Sequence, residues 1–389
     1  MLYISCSEIE EAPKQDDIPE IRYTLHPDYR LGNKIIQNLF SDGESLIVAN
    51  PLSVGYYMNE IRSYFYGAWM ENGFNPSLQY FINKDWAIAP FEQLNGLVIY
   101  QKAYMAVSPP IFTNKDFPNS AYDYLGINNT HPTYAINGNN LLFTINSINS
   151  NSMELILADL DVLTSNIRGA LYLDPYNEPI KSYQTLELKK IFNSQNRVIV
   201  RSIFNLNNSF LVHAFSSDSD NIIFKVNSSG EITEAEFLNN LGISLVDFTT
   251  NDKGDVFILG REEFSPNHKI IKLNQGNLEQ SEVILDFQPT SGSKLRIINN
   301  QMVLFNELVP IIQHIDLEDE KLKTIDTKEL GFLTYRDIIE HQGKVYFGTN
   351  NGLFYIDVDK FWLYMDPIEF LQSGSYKDYP IADNEVNFF

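Results

Sequence analysis

Short apolar runs recur along the whole chain, each bounded by Gly, Asn, Asp or Ser. Residues 46–49, 97–100, 141–143, 198–200, 222–224, 269–271, 302–305 and 344–347 are such runs. They are too short and too rich in β-branched and aromatic residues for helices, so each predicts a strand. Their continuity has a physical meaning. A strand with one wet face alternates apolar and polar residues, whereas an unbroken run requires both faces to be buried.

The polar breaks supply a period. Asp42-Gly43, Asn95-Gly96, Asn137-Gly138, Asn207-Asn208, Lys253-Gly254, Asn299-Asn300 and Gln342-Gly343 each stand ahead of an apolar run. Asn-Gly and Asp-Gly pairs favour tight hairpins because their backbones accept positive φ. The turns recur roughly every 40–50 residues, the spacing of propeller blades, whose middle strands are packed on both sides by neighbouring blades. One gap is longer, from Gly138 to Asn208, and holds Asp174-Pro175 and Asn177-Glu178-Pro179. It reads as one blade with an insertion, or as an extra degraded blade.

The expected fold is all-β: a single β-propeller of about seven four-stranded blades, with six or eight left open. The second half shows the unit most clearly. One blade is expected at 243–248, 255–260, 268–273 and 282–287, the next at 294–298, 302–305, 310–315 and 321–325. A third follows at 335–339, 344–347, 353–356 and 361–365. Residues 20–25 read as a strand that pairs with the last blade and closes the ring, protecting an exposed edge. The expected organisation is a tether at 1–19, the propeller at 20–366, and a tail at 367–389 along the outside of the ring.

In the last of these units, the stretch from Gly343 through Tyr346-Phe347-Gly348-Thr349, then Gly352-Leu353 and Tyr355 to Asp357, resembles the repeat of bacterial sensor-type propellers, those of two-component regulators. The resemblance covers this blade alone and implies the fold, with no activity attached.

Composition narrows the partners. The 389 residues are 44% hydrophobic and 13% aromatic, enough for a large core and favourable to strands. Lys and Arg number 28 against 50 Asp and Glu, a net charge of −22. A field of that sign repels phosphate backbones and argues against nucleic acid as a partner. The chain has one cysteine, Cys6, so neither an intrachain disulfide nor a Cys-based zinc site can form. No run approaches the roughly 20 apolar residues that a spanning helix needs.

The opening Met1-Leu2-Tyr3-Ile4-Ser5-Cys6, followed by the acidic Glu8, Glu10 and Glu11, resembles the end of a lipoprotein signal with the tether of a Bacteroidetes surface lipoprotein. The resemblance implies that Cys6 carries a lipid anchor. A basic n-region and most of an apolar h-region do not stand ahead of it, which requires an upstream start or a trimmed signal; the competing reading is a disordered terminus with an incidental thiol. With the anchor, the expected address is the outer membrane, facing the cell surface, with the periplasm as the alternative. Contact with the membrane is then through the lipid alone.

Motifs for chemistry are sparse. The six histidines form no His-x-x-x-His or Glu-x-x-His pair, and no nucleophile elbow, P-loop or dinucleotide fingerprint is present. No metal site or cofactor is expected, with a structural Ca²⁺ left open at the acidic turns 218–221, 251–255 and 316–319. The densest local feature is aromatic. Tyr64, Tyr66, Trp69 and Trp86 are the candidates for a platform that binds a partner protein or a sugar ring, against the competing reading of packing between blades. The function expected is a non-catalytic binding or scaffolding propeller, an accessory subunit of an outer-membrane or surface assembly. The alternative is a polysaccharide lyase or hydrolase, or a glycan-binding propeller.

Overall fold

In the computed structural model, the described residues run from His26 to Tyr364. Residues 1–25 and 365–389 lie outside them, as do interior stretches, the longest being 67–80, 108–119, 122–132 and 160–181. The described strands form seven sheets, numbered here in chain order. Sheet 1 is Asn38–Ser41, Ser45–Asn50, Ser53–Met58 and Ile61–Tyr66, each strand antiparallel to the next. Sheets 2, 4, 5 and 6 repeat that simple meander, beginning at Phe81–Ile82, Val198–Leu206, Ile243–Thr250 and Lys294–Ile298. Sheet 3 begins at Tyr134–Asn137 and carries a fifth strand, Ser120–Ala121, on the same edge of Asn140–Ser147. Its outer strand is Tyr183–Leu186.

The sheets make a closed ring. Sheet 7 is Tyr335–His341, Lys344–Thr349 and Gly352–Asp357, with His26–Pro27 on its outer edge. The first strand of sheet 1 lies beside the first strands of sheets 2 and 7, and the same relation links sheets 2 to 3, 3 to 4, 5 to 6 and 6 to 7. Sheets 4 and 5 meet through a shared core that joins Phe204, Leu211 and Ile223 to Ile243, Leu245 and Ile258. The chain is thus a β-propeller, with the first strand of each sheet at the axis.

Two-face burial has its cause in this arrangement. Each hydrophobic cluster lies between adjacent sheets: Leu142, Leu155 and Val200 join sheets 3 and 4, and Leu259, Leu295 and Leu304 join 5 and 6. A middle strand is covered from both sides, so Ser209–Ser216 is buried at every residue but Phe215. The first hairpins turn as their residue types require. Asn299 and Asn300 have φ of 47° and 61°, and Gln342 and Gly343 have φ of 48° and 73°. Two successive positive φ values are the primed turn that follows the strand twist.

The structure agrees with some expectations and corrects others. Gly96 opens the third strand of sheet 2, Gly96–Gln101, whereas the other turn pairs each stand ahead of a second strand. The stretch from Gly138 to Asn208 holds the rest of sheet 3 and the first strand of sheet 4, as one sheet with a long connection requires. Residues 361–365 were expected to be the fourth strand of the last unit, yet Val358–Tyr364 is a helix. The place of the fourth strand is taken by His26–Pro27, which pairs with Tyr355 and Phe354. With that edge occupied, the apolar segment turns under the sheet and buries Phe361 against Phe347, ring centroids 6.0 Å apart. The proposed closing strand 20–25 lies outside the described residues.

Closure explains the motif of the last sheet. Ile36 donates its N–H to the Thr349 carbonyl at 2.8 Å, and Thr349 Oγ1 donates to the Gly352 carbonyl at 2.8 Å. Gly348 makes room for Ile36: a Cβ there would sit 2.7 Å from Ile36 Cγ2. Gly348→Ala therefore forces Ile36 off its seat and is expected to lower unfolding stability by about 1–3 kcal/mol, read as a reduced urea midpoint with an unchanged slope. An unchanged midpoint would show that Ile36 does not lock the ring.

Candidate axial site

The inner strands surround a cavity of ≈ 970 Å³. Its described walls come from the first strands of sheets 1, 4, 5, 6 and 7, and its mouth from their hairpin turns: Gly43, Asn207, Asp252, Asn300 and Gln342. The turns that set the sequence period thus rim one face of the ring.

The floor is built on charge. In sheet 5 the first strand shifts register between Leu245 and Asp247, and in sheet 7 between Tyr335 and Asp337. A bulge adds a residue and re-aims the side chain, and both aspartates reach sideways into the next sheet. Asp247 Oδ2 accepts the Leu295 N–H at 2.7 Å, and Asp337 Oδ2 accepts the Leu39 N–H at 2.9 Å. Arg296, between them, reaches Asp247 Oδ2 through Nη1 at 2.8 Å and Asp337 Oδ1 through Nη2 at 2.8 Å. Its Nε donates to Asp337 Oδ1 at 3.0 Å and its Nη1 also to its neighbour's carbonyl, that of Leu295, at 2.7 Å. Burial acts most strongly on this guanidinium, against its charge, yet the charges of Asp337 and Asp247 outweigh it and hold the pKa above its ordinary value. Lys294, nearly fully buried, donates from Nζ to the Arg336 carbonyl at 2.6 Å. Sheet 4 has the same register shift between Val200 and Ser202, with the smaller Ser202 at the place of the aspartates.

The rim is laced in the same manner. Asn137 Nδ2 donates to the carbonyls of Asn207 and Ser209, at 2.5 and 2.7 Å, and Asn205 Nδ2 returns a bond to Ile136 at 2.5 Å. Asn207 Nδ2 donates to the Gln275 carbonyl. The Asn299 N–H donates to Glu340 Oε2 at 2.6 Å, and Ser41 Oγ bonds His341 Nδ1 at 2.8 Å. The turn 251–255 closes on itself, with Asn251 Oδ1 accepting from Lys253 and Asp255 at 3.0 and 2.9 Å. That is a turn-forming role for one of the acidic turns. Among the described residues no group of three or more His, Cys, Asp or Glu is placed to hold a metal ion.

The residues singled out from sequence fall elsewhere. Tyr64 and Tyr66 lie on the outermost strand of sheet 1, paired with Gly55 and Ser53, and Trp86 opens the second strand of sheet 2, opposite Gln101. Their side chains lie outside what is described, as do Trp69, Cys6 and the tail 367–389. Of the histidines, His341 lines the axial cavity. Sequence reasoning missed Asp247, Arg296 and Asp337. The available signal was a charged residue in the middle of each first strand, beside apolar residues and ahead of the hairpin turn.

No protein-family model matches the chain, and no curated protein matches it in sequence. Solved structures do. The extracellular domain of the one component system BT4673 from B. thetaiotaomicron superposes with a TM-score of 0.52 at 11% identity, over 87% of this chain and 43% of that one. This chain thus spans under half the length of that domain. An oligogalacturonate lyase in complex with manganese gives a TM-score of 0.50 at 10% identity, over 84% of this chain and 88% of that one. The β-propeller domain of Cps50 (Swd1) from Myceliophteria thermophila gives 0.49 at 8%, over 83% and 96%. The likeness is one of fold. Among the described residues no helix is long and apolar enough to cross a membrane.

Two outcomes follow. Removing Arg296 leaves two buried carboxylates uncompensated, so Arg296→Met is expected to cost about 3–5 kcal/mol in unfolding stability. Asp337→Asn, which keeps an acceptor for the Leu39 N–H, should cost less than Asp337→Ala; equal losses would contradict the role given to that bond. The second outcome concerns acid. Asp255 is held below the ordinary value of 3.8, chiefly by the Gln275 N–H, with burial opposing and Asn251 and Lys272 assisting. Because the folded value is the lower one, its contribution is present above 3.8 and is lost as pH falls through the folded value. The Gln275 amide resonance should titrate with a midpoint below 3.8, and a midpoint at or above that would contradict the assignment.

Proposed function

We propose that this chain is a non-catalytic binding propeller, lipid-anchored through Cys6 at the outer membrane, that receives a protein partner on the ring face where the axial cavity opens. The observation that carries the reading is the state of the axial charges. Asp247 and Asp337 are engaged by backbone N–H groups and by Arg296. Carboxylates held as fixed acceptors stabilise a scaffold, whereas general acid–base work needs a group facing the substrate with its proton to give or take. The rim supports the same reading. Its turns are bonded to one another, so docking a partner orders little that is not already ordered.

The lyase among the structural neighbours gives this chain a shared fold only. A polyuronate is a polyanion, and a chain of net charge −22 opposes it at long range. The test places a photo-crosslinking residue at Asn300, on the rim, and separately at Val283, an exposed apolar position on an outer strand. In native membranes the Asn300 variant should give one discrete protein adduct and the Val283 variant none. Depolymerisation of any member of a polysaccharide panel by the purified protein, abolished by a change at the axis, would overturn the proposal.

A further inference from the structure

Among the described residues the axial clasps run from sheet 5 round to sheet 1 and stop short of the seam between sheets 4 and 5. Asp247 spans from sheet 5 to the Leu295 N–H at 2.7 Å, and Asp337 from sheet 7 to the Leu39 N–H at 2.9 Å. Between sheets 6 and 7, Arg296 reaches Asp337 at 2.8 Å. Sheet 4 has the register shift that aims such a group, but the residue it aims is Ser202. A hydroxyl on Cβ stops one bond short of a carboxylate oxygen. Ser202 is 2% exposed, and its Oγ has no hydrogen-bond partner. A buried hydroxyl in that state costs free energy and joins nothing.

The inner strands part at the same seam. The first strands of sheets 3 and 4, 5 and 6, 6 and 7, and 7 and 1 lie side by side, whereas Val198–Leu206 and Ile243–Thr250 do not. Sheets 4 and 5 share a core, in which Phe204 stands edge-on to Phe248 at 5.0 Å. Polar bonds join them at the two faces of the ring. At the rim, Asn207 Nδ2 donates to the Gln275 carbonyl. At the opposite face, where the first strand of sheet 5 begins, Asn221 Nδ2 donates to Ser244 Oγ at 2.9 Å and to Glu263 Oε1. Both parted strands line the axial cavity, through Ile203, Phe204 and Asn205 on one side and Asp247, Phe248 and Thr249 on the other.

We propose that the ring opens at this seam. The first strands of sheets 4 and 5 swing apart at the axis, hinged on the bonds at the two faces, and enlarge the axial cavity on that side. Opening at the seams from sheet 5 round to sheet 1 breaks a clasp, and opening between sheets 3 and 4 parts strands that lie side by side. At the seam of sheets 4 and 5 it slides Phe204 off Phe248 and breaks no clasp. The motion is a local opening, with a free energy below that of global unfolding. It rests on the packing of the ring alone and does not depend on the binding role.

Thiol labelling reads the opening. In a Cys6→Ser background, Ser202→Cys puts a thiol at the open seam, and Ala135→Cys puts one in the first strand of sheet 3, which lies against sheet 4. The native side chains are 2% and 0% exposed. Under native conditions the thiol at 202 should react with a small disulfide reagent at least roughly ten-fold faster than the thiol at 135. Each rate is set beside the variant's urea midpoint, because a thiol reached only by global unfolding reacts in step with stability. Equal rates at equal midpoints, or rates that merely follow the midpoints, would overturn the inference. The unmodified chain supplies a second readout. By hydrogen exchange, peptides covering 198–206 and 243–247 should exchange faster than one covering 294–298, whose strand is clasped on both sides. Equal or reversed protection contradicts an opening there. Finally, Ser202→Ala should leave the urea midpoint in place or raise it, since the hydroxyl removed has no partner. A lowered midpoint would mean that Ser202 joins the seam, and the inference would fall.

Discussion

Arg296 holds two carboxylates from two different sheets, Asp247 before it and Asp337 after it, and each aspartate also takes a backbone N–H from the sheet that follows its own. Four consecutive first strands, those of sheets 5, 6, 7 and 1, are joined in this way at the axis. Inner strands crowd together at a propeller's centre, where short polar side chains can bridge and large apolar ones cannot fit on every side. Burying three charges is costly unless each is paired and hydrogen-bonded. Here every carboxylate has both kinds of partner, and the register shifts at Asp247 and Asp337 are what aim them.

Away from the axis the same ring is held by apolar contact. Among the described residues the clusters lie between sheets, at the seams of sheets 3 to 7 and of 7 with 1, so these sheets share their cores with their neighbours. A ring of such units needs a closing step, and the chain supplies it from its N-terminal side. His26–Pro27 covers the outer edge of the last sheet, and Ile36 enters where Gly348 has no side chain. The sheet with the sensor-type motif is thus the sheet that receives the closure, and its Gly348-Thr349 pair has a structural use there.

Much of this was legible beforehand. Strands 268–273 and 294–298 were read to the residue, because short stretches rich in Ile and Leu and bounded by turn formers have few other solutions. The error at 358–364 has a plain cause: Phe361, Trp362, Leu363 and Tyr364 favour a strand locally, and only the arrival of a distant segment at the sheet edge makes a helix the better state. Asn95-Gly96 misled because the sequence of a turn does not say which hairpin of a sheet it closes. The axial charges were not read at all. Asp247, Arg296 and Asp337 are far apart in sequence, and each alone looks like a polar break in a strand; their meaning is spatial. The aromatic candidates show the converse, since local density at Tyr64 and Tyr66 belongs to an outer strand, away from the axis.

The central claim is that the axial carboxylates bind the ring together and are not poised for chemistry. It is tested most directly by a double-mutant cycle on Arg296→Met and Asp337→Asn, read by urea unfolding. A coupling energy of about 1–3 kcal/mol is expected, because the second change should cost much less once the first is made. A coupling near zero would mean that the two residues act independently and that the ring is held by its apolar seams alone.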